Sequence, residues 1–119
     1  MNDLIGKPYE LGADGSGAAI DCIHLVYKAL ESLGIKTPPF NADWYTASNR
    51  SILRDLLRWG YRVDNPAYDG DVVLSKQRPA AFAVTWQTGL LYINQDLKAV
   101  AWCPIAVIGK HRCFRLRSV

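Results

Sequence analysis

Past Gly60 the sequence breaks into short apolar runs set too close together for anything but hairpins. Tyr61–Val63, Val72–Leu74, Phe82–Trp86, Gly89–Ile93, Lys98–Trp102, Ile105–Ile108 and Arg112–Arg117 each read as a strand. Asp69-Gly70, Asn94–Asp96 and Gly109-Lys110 punctuate them. A parallel crossover needs roughly a dozen residues or more, so these spacings demand antiparallel pairing. Upstream the periodicity is helical. Ile23, Val26, Tyr27, Leu30 and Leu33 predict a helix over 21–33, with Asp21 as its N-cap and Gly34 as its stop. Thr37-Pro38-Pro39 ends any continuation, and Trp44 and Tyr45 fall in the loop that follows. Ile52, Leu53, Leu56 and Leu57 predict a second helix over 49–59, with Arg50, Arg54, Asp55 and Arg58 off the apolar stripe. Helices first and strands after predict an α+β fold, helices packed on an antiparallel β-sheet.

A length of 119 residues fits a single domain, 1–119. Half the residues are apolar and 21% are charged, a balance that excludes a disordered chain. The longest uncharged stretch, 79–95, is interrupted by Thr85, Gln87, Thr88 and Gly89, so no membrane span or membrane partner is expected. The opening Met-Asn-Asp-Leu lacks a signal peptide's basic and apolar segments. Three cysteines do not make a self-contained disulfide framework, which points to synthesis in a reducing, cytoplasmic compartment. The net charge of +3 is mild and gathers at the end, at Lys110, Arg112, Arg115 and Arg117. That tail reads as a solvated strand face, and nucleic acid is not an expected partner. The cluster Gly12, Gly15 and Gly17 lacks the Lys-Ser/Thr ending of a phosphate loop.

Cys22 opens the first helix. The free N–H groups of a helix start carry positive partial charge, favour a thiolate and offer donors to an oxyanion. The plain alternative is a small buried apolar residue.

The surroundings add a resemblance. Gly6, Pro8, Tyr9 and Gly12 follow the pattern G-x-P-Y-x-x-G, and Asp21-Cys22 leads into Leu25-Val26. Gly34-Ile35 and Pro38 follow the helix, and Gly70-Asp71-Val72-Val73 and Gly89-Leu90-Leu91-Tyr92 come later in the same order. This succession resembles the NlpC/P60 family of papain-like cell-wall cysteine peptidases over nearly the whole chain. The compact size, the helix bearing Trp59 and the terminal strand at Cys113 are most similar to tail-associated members encoded by bacteriophages. The resemblance implies a papain-like core and hydrolysis of a stem-peptide amide of peptidoglycan through an acyl-enzyme, with no cofactor. It makes Cys22 the nucleophile, places Tyr9 beside the sulfur, and sets Asp21 just before it as the cap.

The family's general base, a histidine at the head of an H-V-G-I-Y strand, falls on Gln87, which cannot accept a proton at neutral pH. The residue that would orient it falls within Val100-Ala101-Trp102, none of which suits that role. His24 lies about 200° around the helix from Cys22. His111 is the possible substitute base. Cys22, His24, Cys103, His111 and Cys113 are metal-capable, yet their spacing is not that of a zinc site, and no metal is expected. Three functions follow. One is a degenerate domain serving as a structural or adaptor part of a phage tail or similar assembly, present in the virion. The second is an active peptidase using Cys22 on cell-wall peptide. The third is a zinc-stabilised or nucleic-acid-binding module resting on His111, Cys113 and the basic tail.

Overall fold

The computed structural model describes residues 3–37, 49–75, 82–105 and 111–116. Two helices, α1 (Cys22–Ser32) and α2 (Asn49–Trp59), precede six strands. These are β1 (Gly60–Val63), β2 (Val72–Ser75), β3 (Phe82–Trp86), β4 (Gly89–Asn94), β5 (Ala99–Pro104) and β6 (His111–Leu116). Every pairing among them is antiparallel, in the order β1-β6-β2-β3-β4-β5. The fold is therefore the α+β arrangement that the sequence texture predicts. No helix among the described residues is long and apolar enough to cross a membrane. Trp44, Tyr45, Pro38, Pro39, Lys110 and Arg117 lie outside the described residues, as does most of the expected strand 105–108. Ile105 itself follows the end of β5.

Helix α1 starts where its cap dictates. The buried Asp21 carboxylate accepts the His24 N–H at 2.8 Å through Oδ1 and the Gly12 N–H at 3.0 Å through Oδ2. It thereby satisfies one orphan donor of the helix and ties down the preceding glycine-rich loop. At the other end Gly34 turns left-handed at φ 74°, and the Ile35 N–H reaches back to the Leu30 carbonyl at 2.9 Å. A side chain at Gly34 would strain that backbone.

Alternation along the strands sorts the sheet into two faces. Val72, Leu74, Phe82, Val84, Leu91, Val100 and Phe114 pack with Leu25, Val26, Ala29 and Leu30 of α1 and with Ile52 and Leu56 of α2. At about 25 cal/mol per Å² of apolar area, this shared burial is the main force holding helices to sheet. Val73, Ala83, Leu90 and Cys113 form a smaller buried cluster on the opposite face.

The N-terminal segment straps the edge of β5. Gly6 N–H donates to the Val100 carbonyl at 2.8 Å, Val100 N–H to Lys7 at 2.9 Å, and Tyr9 N–H to Lys98 at 2.8 Å. Pairing one end of an otherwise open edge in this way protects it and carries Tyr9 toward the start of α1.

Candidate active site

Cys22, Tyr9 and Asp21 come together at the start of α1. Cys22 follows the cap directly, and the strap along β5 brings in Tyr9, whose phenol is pushed up by burial and by the neighbouring Cys22 and Asp21. The sheet contributes the head of β3, where the Phe82 backbone N–H donates to the Cys22 sulfur.

The electrostatics oppose a thiolate. Burial pushes the Cys22 thiol up, and the Asp21 carboxylate pushes it further. The Phe82 amide and the first amides of α1, those of Cys22 and Ile23, pull the other way and lose. The helix-start activation expected from the sequence is thus outweighed. The carboxylate that caps this helix sits next to the sulfur, and like charges beside a thiol favour its neutral form.

Gln87 does not meet the cysteine. The strand that reaches Cys22 is β3, and it does so at Phe82, whereas Gln87 lies just beyond the far end of that strand. Five residues of extended chain separate the two positions by roughly 16 Å. Gln87 is exposed in the tight β3–β4 turn, and its backbone N–H donates to Asp69 Oδ1 at 2.9 Å. Placing it at the base position is therefore corrected by the geometry. By position the residue facing the sulfur is Phe82, which carries no titratable group. Continuing the β3–β4 register from Ala83 and Tyr92 sets Ile93 opposite Phe82, so the adjoining place on the next strand is apolar as well. Trp102, in the stretch expected to supply an orienting residue, sits instead at the Gln87 end, where its indole N–H donates to the Trp86 carbonyl at 2.9 Å.

His111 is corrected too. Phe114 packs on the helix-covered face and Cys113 on the other. His111 and Arg115 flank Cys113 at two residues' distance and share its face. Cys22 and His111 are therefore on opposite sides of the sheet, and His111 is no substitute base. His24 is engaged by the cap, with Nδ1 3.0 Å from Asp21 Oδ1. Cys103 and Cys113 both pack in the smaller cluster. Among the described residues no three His, Cys, Asp or Glu side chains gather as a metal site.

Two features escaped the sequence. The first is an ion pair behind the sheet. Arg115 Nε and Nη2 donate to the two Asp71 oxygens at 3.0 Å each, and the guanidinium lies 4.3 Å from the Tyr68 ring centre. Burial pushes the Asp71 carboxyl up, but Arg115 and the Ala67 and Tyr68 amides outweigh it and hold the carboxyl below its ordinary value. Gly70-Asp71 is visible as a motif, but nothing marks Arg115 as its partner. The second is the packing of Trp102 on the bare backbone of Gly89. No protein-family model matches the chain, and no curated protein matches it.

Proposed function

We propose that the chain is a papain-like NlpC/P60 domain that has lost hydrolytic competence and serves as a structural or adaptor part of a phage tail or similar assembly. The family reading is supported by a cysteine that opens a helix packed on an antiparallel sheet, with Tyr9 near enough for Cys22 and Asp21 to push its phenol up. The observation that carries the loss of activity is the environment of the Cys22 sulfur. It is half-buried, raised above the ordinary thiol value, and faced by a backbone amide at Phe82. Acyl transfer from a peptide needs a group that takes the thiol proton and later gives it to the leaving amine. Tyr9 is a weaker acid than usual here, and the Asp21 oxygens are occupied by the Gly12 and His24 N–H groups. Such help is ordinarily worth about 10²–10⁴-fold in rate.

The assignment to a tail or similar assembly rests on the resemblance. Two measurements test the proposal. Muropeptides bearing stem peptides, incubated with the purified chain and read by mass spectrometry, should release no new amine that depends on Cys22. Amide release abolished in Cys22→Ala would instead establish the active-peptidase reading. Chromatography with the tail proteins of the same particle should give a stable complex, and a chain that elutes alone from every such mixture would defeat the adaptor assignment.

A further inference from the structure

Two Asp-Gly pairs stand in the chain, Asp14-Gly15 and Asp69-Gly70. Such a pair carries a chemistry of its own. The backbone nitrogen of the second residue can attack the carboxyl of the first, and glycine, having no Cβ, leaves the approach open. The fold treats the two pairs in opposite ways.

At Asp69-Gly70 both reacting groups are engaged elsewhere. The Gly70 N–H donates to the Thr85 carbonyl at 2.8 Å. The Asp69 carboxylate accepts the Gln87 N–H through Oδ1 at 2.9 Å. Gly70 is itself packed under the end of α1, where an added Cβ would strike Ile35. Reaction there needs the loop before β2 to come away from β3, and such local opening costs free energy.

At Asp14-Gly15 the groups lie at the surface. Asp14 and Ser16 are exposed. Asp14 Oδ1 accepts the Ser16 N–H at 2.9 Å and the Ser16 hydroxyl at 2.6 Å, so the carboxyl folds back across the Gly15 peptide. The Gly15 N–H closes no hydrogen bond among the described residues. The Ser16 hydroxyl and amide also hold the Asp14 carboxyl below its ordinary value, which slows ring closure without blocking the approach.

We infer that Asp14-Gly15 is a site of spontaneous isomerisation to isoaspartate, from which the fold shields Asp69-Gly70. The Gly15 nitrogen bonds to Asp14 Cγ and loses its proton, and a carboxyl oxygen leaves as water, closing a succinimide. Water then adds to the carbon that was the Asp14 main-chain carbonyl, and the bond from that carbon to the nitrogen breaks. The main chain now runs through the former side chain and is one carbon longer. No oxidant or reductant is needed, and the water lost in the first step is regained in the second. The extra carbon falls between the Ala13 carbonyl, which accepts the Asp21 N–H at 3.0 Å, and the Gly15 carbonyl, which accepts the Lys7 ammonium at 3.3 Å. It loosens the loop that leads to the α1 cap. The inference does not draw on the chemistry of Cys22 and is independent of the function proposed above.

Incubation of the purified chain at neutral pH and physiological temperature provides the test. Asp14 and Asp69 fall in different tryptic peptides, and backbone-cleavage ions in the mass spectrum distinguish isoaspartate from aspartate in each. In the folded protein isoaspartate should accumulate at Asp14 at least about tenfold faster than at Asp69. In urea the two rates should converge to within about threefold, since nothing then holds the Gly70 N–H. Asp14→Glu, which would have to close a larger ring, should leave the first peptide unmodified. An Asp14 that stays unmodified in the folded protein would overturn the inference. So would a gap between the two sites that persists in urea, because the fold would then not be its cause.

Discussion

At Phe82 strand β3 begins beneath the first turn of α1, and at Trp86 it runs out into an exposed turn. At the Phe82 end the strand residue is buried and apolar, and it meets a half-buried thiol that desolvation and Asp21 push toward its protonated form. The Trp86 end is open, with an anchored indole, two residues in left-handed backbone and a carboxylate. The thiol and the side chain that the resemblance pairs with it thus stand at opposite ends of the strand. A strand only five residues long is enough to separate Cys22 from the side chain that the resemblance sets beside it.

The open end is tied to its surroundings as well. Gly70 N–H donates to the Thr85 carbonyl and Thr85 N–H to Asp71, so the loop before β2 is tied to β3 there, and Arg115 clamps Asp71 from behind. The contrast can be broken there first. Arg115→Ala leaves a buried carboxylate without its cation and should cost about 3 kcal/mol, read by urea denaturation. The same pair fixes an acid limit. Because the folded Asp71 carboxyl lies below its ordinary value of 3.8, its contribution is complete above that value. It is lost as the pH falls through the lower folded value. Arg115→Ala should remove that acid-dependent part of the unfolding curve.

At the Phe82 end the effect is smaller. Asp21→Ala removes the α1 cap and should cost about 1–2 kcal/mol. Asp21→Asn retains a capping oxygen but removes the charge, so its thiol should titrate lower than in the parent while stability changes less. A thiol that titrates unchanged in Asp21→Asn would show that the carboxylate is not what restrains it. Smallest of all is relief of strain in the open turn. Thr88→Gly should stabilise the protein by about 1 kcal/mol in the same assay, since glycine tolerates positive φ.

The elements were legible because their signals are local. Periodicity and caps place α1 and α2 within a residue of their observed ends, and β3 was readable to the residue. What the letters lack is the third dimension. The chain does not announce that β6 inserts between β1 and β2, the placement that pairs Arg115 with Asp71 and sets His111 on the face away from α1. Nor does a strand motif tell which end of a hairpin abuts a helix. Gln87 and Phe82 are close in sequence, and only the direction of β3 across α1 decides which of them meets the sulfur. The joining of Cys22, Tyr9 and Asp21 was easier to see, since two of the three are adjacent and the third lies in a segment whose pattern was recognisable.

The central claim concerns the protonation of one sulfur. Alkylation of Cys22 by iodoacetamide, followed across pH by mass spectrometry of the peptide that contains it, measures this directly. The account predicts a reaction midpoint above the ordinary thiol value of 9.0, and the same midpoint in Gln87→His. A midpoint at or below about 7, the range of activated catalytic cysteines, would contradict it.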